Sequence, residues 1–307
     1  MKTFIYLSFF KSILTMNKHV ATVHLENGSL NFKSMIFLGL IVTGIFVGIF
    51  SSFFGVGGGI LIVPTLYTFF SFLPPQAVIA TSLTLIFFNS IINTINFMKA
   101  GIRPNFSFLI PIGIAMVIGV VLGGKVTLLL PPKTIKLIFS IFVFAIAIRT
   151  LLVKLKDVPS DDWSPTTDAK SKVISITVGL IGGLVAGMTG LGGGAVLVPL
   201  FITILHIPFR FLSAYSNVCM VAGTFAGMVT YLIQPTPVFV FNYEILEMGQ
   251  VGFVNFSIVF ALFIGSSLSS KLGVKWVQIV KPATSKKLFA VLLIIISIKI
   301  FVSAQFS

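Results

Sequence analysis

The stretch Gly55-Val-Gly-Gly-Gly-Ile-Leu-Ile-Val-Pro64 decides how this chain is organised, because it returns as Gly190-Leu-Gly-Gly-Gly-Ala-Val-Leu-Val-Pro199. Two weaker matches follow in the same order along the chain: Gly119 to Lys125 resembles Gly265 to Lys271, and Lys136-Leu-Ile-Phe139 resembles Lys286-Lys-Leu-Phe289. Three matches in series indicate an internal duplication. The chain therefore contains two homologous halves, each opened by a run of glycines.

Charged residues are scarce around these motifs. They make up 9% of the 307 residues, whereas 56% are hydrophobic, and globular proteins carry about 25% charged residues. Residues 34–98 contain no Asp, Glu, Lys, Arg or His, and at about 20 residues per crossing this stretch holds about three membrane segments. The sequence predicts an all-α fold, a polytopic transmembrane helical bundle of two homologous halves with about 8–10 membrane segments. A soluble enzyme is excluded.

The repeats and the polar segments give the predicted boundaries. They are an N-terminal extension at 1–33, a first membrane repeat at 34–153, a hydrophilic linker at 154–172 and a second membrane repeat at 173–307. Five segments per half would make the repeats inverted, and four would make them parallel. Duplicated membrane halves are typical of secondary transporters, whose substrate binds where the halves meet.

The formal net charge of +14 comes largely from basic residues between the apolar spans. This is the pattern of cytoplasmic loops that face anionic lipid. The sequence has no basic patch interleaved with aromatic residues, so we expect a lipid bilayer and no nucleic acid as partner. With an odd number of crossings per half, the basic loops 99–103, 154–172 and 271–281 fall on one side, which we predict to be cytoplasmic.

The glycine runs predict broken or re-entrant helices, because three adjacent glycines cost a continuous helix about 1 kcal/mol each relative to alanine. A helix that restarts inside the membrane points its free N–H groups into the protein, where they can bind an anion. The predicted substrate-binding backbone comprises Gly57, Gly58, Gly59, Ile60, Gly192, Gly193, Gly194 and Ala195. Two alternatives stay open: the glycines could serve only close helix packing, and the short segments could be full crossings kinked at Pro64 and Pro199.

Neutral polar residues line one face of the next helix in each half. They are Ser82, Asn89, Asn93 and Asn96 in the first half and Ser213, Asn217, Thr224 and Tyr231 in the second. Steps of three, four and seven residues place each set on one helix face. Because amides and hydroxyls donate to anion oxygens without a fixed charge, we predict Asn89, Asn93, Asn217 and Thr224 as substrate-binding side chains. Hydrogen bonding between helices is the alternative.

Catalytic and metal-binding motifs are missing from the sequence. Cys219 is the single cysteine, the three histidines are scattered, and no metal-ligand spacing occurs. Gly119 to Val126 resembles a phosphate-binding loop, but Val126 replaces the Ser or Thr that would hold magnesium. We therefore predict no enzyme activity, no catalytic residue, no cofactor, no metal and no ATP-driven motor.

The paired G-x-G-G-G-x-x-x-x-P elements resemble those of the sulfite exporter TauE/SafE family, also called the 4-toluene sulfonate uptake permease family. The resemblance covers most of residues 35–303. It implies a multi-pass transporter in the cell (inner) membrane that moves a small sulfur-containing anion such as sulfite, thiosulfate or an organosulfonate. The alternatives are a transporter for another small organic or inorganic anion, or an anion channel. Whether the chain forms a homo-oligomer stays open.

Overall fold

The computed structural model of this chain describes residues 32–70, 72–152, 169–235, 249–280 and 282–305. Within these ranges the backbone forms ten helices and one antiparallel pair of two-residue strands. The first half contains α1 (Phe32–Phe54), α2 (Gly59–Phe69), α3 (Pro75–Lys99), α4 (Phe106–Leu129) and α5 (Pro132–Leu152). The second half contains α6 (Ala169–Thr189), α7 (Gly194–Thr203), α8 (Phe209–Leu232), β1 (Gln250–Val251), β2 (Val254–Asn255), α9 (Phe256–Ile279) and α10 (Pro282–Gln305).

The predicted terminal extension and linker fall largely outside the described ranges. Of the extension 1–33, only the first residues of α1 are described. Of the linker 154–172, the described part is helical, because α6 begins at Ala169. Lys170 and Lys172 therefore lie in the first turn of a helix and not in a loop.

The all-α membrane fold is confirmed. Seven of the described helices are long and apolar enough to cross a bilayer, namely α1, α3, α4, α5, α6, α8 and α9, and α10 is a further long helix. Apolar side chains are exposed along single faces, as the stripe of Ile110, Ile114, Ile118 and Leu122 on α4 shows. In water such a stripe would be costly, whereas against lipid it is the expected outer surface.

The two halves repeat local structure as well as sequence. The side chain of Asn105 accepts a hydrogen bond from the Phe108 N–H at 3.2 Å and thereby caps α4. Asn255 caps α9 in the same way, accepting from the Ile258 N–H at 3.0 Å. An Asn at this position satisfies one of the free N–H groups of the first turn. Equivalent helices therefore begin with the same capping residue.

The halves are inverted with respect to each other. The equivalent helices α3 and α8 pack antiparallel: a Cβ on Gly227 would lie 2.8 Å from Leu83, whereas Asn93 contacts Asn217. Along α3 and α9 the contacts rise together, from Asn89 with Ser266 to Asn93 with Ser270, so these helices are parallel. Each half therefore makes an odd net number of crossings, which is the inverted arrangement.

The short helices α2 and α7 are re-entrant rather than tilted crossings. Gly59, at the start of α2, lies beside Ile86 in the middle of α3. Val63 and Ile79 both contact Gly190, so α2 runs back along α3 toward the end at which α3 begins. By the inverted symmetry, α7 runs back along α8 toward the end at which α8 begins. Pro64 and Pro199 lie inside these helices.

The first helix of each half, α1 or α6, packs through its glycines against a helix of the other half. Gly44 and Gly48 of α1 lie against the backbone of Leu262 and Ser266 in α9. In the second half Gly179 and Gly183 of α6 lie equally close to the backbone of Ile112 and Met116 in α4. Such close backbone approach is the small-residue packing of membrane helices. The two helix pairs are equivalent contacts.

These contacts correct one of the predicted repeat matches. Because Gly48 and Gly183 are equivalent, their partners Ser266 and Met116 are equivalent too. The match of Gly119 to Lys125 with Gly265 to Lys271 is therefore wrong by one helical turn. The capping residues Asn105 and Asn255 give the same correspondence as the packing.

Candidate functional site

The two glycine runs form the same broken backbone. Gly55, Gly57 and Gly58 have φ values of +68°, +74° and +88°, and Gly190, Gly192 and Gly193 have +73°, +73° and +82°. Positive φ in this range is readily adopted by glycine and disfavoured for other residues. The predicted breaks are therefore present in both halves, and Gly58 and Gly193 are the N-cap residues of α2 and α7.

The two breaks meet at the interface between the halves. The Ser82 Oγ of α3 donates to the Gly190 carbonyl, and the Ser216 Oγ of α8 donates to the Gly55 carbonyl, both at 2.7 Å. A Cβ on Gly59 would lie 2.6 Å from the Gly190 oxygen, so there is no room for a side chain at that position. The glycines therefore both break the helix and permit close packing.

The helix starts are buried. No side chain caps α2 or α7, and the carbonyls of Gly58 and Gly193 accept the first helical hydrogen bonds. All eight predicted backbone residues, 57–60 and 192–195, are buried. The side chains of Ile86 and Met220 fill the space between the two breaks, since each lies within 3.0 Å of the position of an added Cβ on Gly57.

The predicted asparagines of α3 are held by two neighbouring sets of buried hydrogen bonds, which together we call the polar network. The Asn93 Nδ2 donates to the Ser51 Oγ at 2.9 Å and to the Asn217 Oδ1 at 3.1 Å. The Asn89 Oδ1 accepts from the Ser266 Oγ at 2.6 Å. Asn89, Asn93 and Asn217 are each at most 3% exposed. The structure thus brings three of the four predicted side chains together.

Thr224 lies apart from this network. Its hydroxyl donates to the Met220 carbonyl at 2.6 Å, one turn back in its own helix. Tyr231 and Ser213, on the same predicted face, also donate to backbone carbonyls, those of Gly187 and Phe53. On α8 the polar face therefore serves mainly to hold helices and loops in place.

Three serines of the network were missed from the sequence. Ser51 accepts a hydrogen bond from Asn93, and Ser266 and Ser270 donate to the asparagines of α3. The available signal was the run Ser266-Ser-Leu-Ser-Ser270 inside an apolar span. Four serines within one and a half turns of a membrane helix indicate a polar contact with another helix.

The basic residues at the helix ends stay away from the centre. Lys125 and Lys271 are exposed, as predicted for side chains that reach the headgroups. Within the described ranges no Lys, Arg or His is buried, and the buried polar side chains are hydroxyls and amides. The inter-half centre is thus polar and uncharged.

Comparison with known proteins identifies the family. The profile of the family described as "Sulfite exporter TauE/SafE" matches residues 40–300. The chain belongs to the TauE/SafE family. A "Probable membrane transporter protein" of Haemophilus influenzae is 34% identical over 86% of this chain and 95% of its own length. Similar proteins with that description occur in Methanocaldococcus jannaschii, at 31% identity over 82% of this chain and 91% of the relative, and in Bacillus subtilis, at 25% over 89% and 100%.

No solved structure matches the chain. Its TauE/SafE membership, the descriptions of its relatives and its apolar helices indicate a multi-pass membrane transporter. The broken helices and the polar network lie inside the part of the chain that the family profile covers. They are therefore features of the transporter body itself.

Proposed function

We propose that this protein is a secondary transporter that moves a small sulfur-containing anion, such as sulfite, thiosulfate or an organosulfonate, across the cell (inner) membrane. The observation that carries the proposal is the meeting of two broken helices at the interface of inverted halves. In transporters with inverted repeats, the substrate binds near the bilayer midplane at such discontinuous helices. The family description supplies the sulfur anion.

The proposed substrate contacts are the backbone of the two breaks, at 57–60 and 192–195, together with Asn89, Asn93 and Asn217. Helix N-termini attract anions through their dipole and their free N–H groups, and neutral amides add donors without holding the anion too tightly to release. Thr224 stays a prediction, since its hydroxyl is already bound within its own helix. Rocking of one half against the other would move Ile86 and Met220 away from the breaks and admit the substrate.

Uptake into proteoliposomes tests this function. Labelled sulfite, thiosulfate and a sulfonate are offered in turn, with the pH gradient and the sodium gradient varied separately and protein-free liposomes as control. We expect saturable uptake of at least one of these anions. Uptake of only sulfur-free anions would contradict the substrate class, and voltage-driven current at rates far above those of a carrier would indicate an anion channel.

A cysteine pair tests the position of the path. In a Cys219→Ser background, Ile86→Cys places a thiol between the breaks, whereas Ile95→Cys places one on the exposed side of the same helix. Thiol modification of the first variant should block uptake, and the transported anion should slow that modification. The second variant should transport normally with or without reagent. Equal behaviour of the two variants would contradict a path through the breaks.

A further inference from the structure

The surroundings of the two glycine breaks differ chemically, although the backbones are the same. On the side of the first break lies a group that we call the polar cluster, composed of Ser51, Asn89, Asn93, Ser266 and Ser270. Three hydrogen bonds of 2.6–2.9 Å hold them across α1, α3 and α9: Asn93 bonds with Ser51 and Ser270, and Asn89 forms a separate pair with Ser266. Ser51 also adjoins the first break, because its Cβ is 3.4 Å from the position of an added Cβ on Gly58.

The equivalent positions around the second break are small or apolar. They are Ala186, Gly223, Gly227, Met116 and Val120. The correspondence follows from packing, since Ala186 lies 3.4 Å from an added Cβ on Gly193, as Ser51 does for Gly58. The methyl group of Met116 would lie 2.5 Å from that same Cβ and 2.9 Å from one on Gly223. A thioether thus occupies the place that an Asn–Ser hydrogen bond holds on the other side.

Asn89 of the polar cluster and two neighbouring residues of α3 have donors that bind nothing within the described part of the protein. The Asn89 Nδ2 and the Ser90 Oγ are buried without a hydrogen-bond partner, and so is the Thr94 Oγ1 one turn later. Asn89 is 3% exposed and Ser90 is fully buried. Ser90 is equivalent to Thr224, whose hydroxyl is satisfied by its own helix. A buried donor without a partner is costly, so two such donors on neighbouring residues favour a group that binds there. The Ser175 Oγ in the second half also has no partner, but it lies near the start of α6, far along the chain from the second break.

The donors available to a ligand at this place are neutral. Within the described ranges no Asp or Glu occurs, and no Lys, Arg or His is buried. The cost of taking an ion out of water rises with the square of its charge, and neutral donors recover little of it. A site with few neutral donors near a helix N-terminus therefore favours one negative charge over two.

We propose that the polar cluster, with Asn89 and Ser90 as donors, is a single binding site for a singly charged oxyanion, and that the second glycine break binds none. The proposal rests on the proposed transport function and narrows it to one break and one charge state. Hydrogensulfite and sulfonates meet this requirement, whereas the dianions sulfite and sulfate do not.

A series of three similar sulfonyl compounds tests the charge state. Dimethyl sulfone is neutral, methanesulfonate is singly charged and sulfate is doubly charged at neutral pH. Calorimetry on the purified full-length protein should show methanesulfonate binding at least tenfold more tightly than either of the others. Equal or tighter binding of sulfate, or no binding of methanesulfonate, would overturn the proposed charge selection.

A matched pair of variants tests which break binds. Ser90→Ala and Asn89→Leu should each weaken methanesulfonate binding about tenfold or more, since a hydrogen bond to a charged group is lost. Met116→Leu, which changes a side chain beside Gly193 of the second break, should bind within about twofold of the parent, and Ser90→Thr should restore binding. Melting temperatures establish that all four proteins are folded.

The outcomes separate the two proposals. If Met116→Leu weakens binding as much as Ser90→Ala, or if neither does, the single-site proposal is overturned, even when labelled anions are still transported. If methanesulfonate binds and Ser90→Ala abolishes binding while no sulfur anion is transported in proteoliposomes, the site stands and the transport proposal fails.

Discussion

At the scale of single residues, the glycines of the breaks have two roles that one substitution cannot separate. Gly58 has φ +88°, and an added Cβ would lie 2.7 Å from Val47, so any side chain there strains the backbone and the packing together. Loss of binding in a Gly58 variant would therefore say little about an anion. The serines that cross between the halves are better probes, because replacing them removes one hydrogen bond and little volume.

The reciprocal serine bonds should contribute equally to stability. Ser82→Ala and Ser216→Ala each leave a buried carbonyl without its 2.7 Å partner, which costs about 1–3 kcal/mol. We expect both variants to melt at lower temperatures by similar amounts in detergent. Ser267→Ala, whose hydroxyl donates within its own helix, is the control and should melt near the parent. An unchanged melting temperature in either Ser82→Ala or Ser216→Ala would contradict the stabilising role of these bonds.

At the scale of helices, the close contacts of α1 with α9 and of α4 with α6 fix the inverted arrangement. Gly183 has no space for a Cβ, because the Met116 carbonyl lies against it, whereas an added Cβ on Gly113 would meet only the Ala222 methyl at 3.8 Å. A Cβ therefore fits at position 113 of α4 but not at position 183 of α6.

This difference gives a prediction for α6 and α4. Gly183→Ala should destabilise the protein by about 1–3 kcal/mol through overpacking. Gly113→Ala should be neutral or stabilising, since alanine is favoured over glycine in a helix by up to about 1 kcal/mol. Thermal melting of the two purified variants measures the effect. Similar melting of both would argue against the α4–α6 contact.

At the scale of the whole molecule, the topology sorts the basic residues to the two ends of the bundle. The end at which α3, α5 and α9 finish carries Lys99, Arg103, Arg149, Lys170, Lys172, Arg210, Lys271, Lys275 and Lys286–Lys287. The opposite end carries Lys33, Lys125, Lys133, Lys136 and Lys299. The positive-inside tendency predicts that the first end is cytoplasmic, the same side that the sequence predicts for the basic loops.

Cysteine labelling checks this orientation. In the Cys219→Ser background, Arg103→Cys and Lys133→Cys place exposed thiols at the two ends. A membrane-impermeant maleimide should label the Lys133 variant in right-side-out vesicles and the Arg103 variant only in inside-out vesicles. The reversed pattern would place the second end in the cytoplasm.

The sequence by itself determined the membrane class, the duplication and the broken helices at Gly55–Gly59 and Gly190–Gly194. These follow from composition and local backbone preference, which act over a few residues. Only the tertiary structure decided which residues of α4 and α9 correspond in the two repeats, and which residues bond to Asn89 and Asn93. Helices in lipid are apolar on the outside as well as the inside, so hydrophobicity does not fix their rotation. Ser51, Ser266 and the asparagines of α3 meet only because glycines elsewhere let the backbones approach.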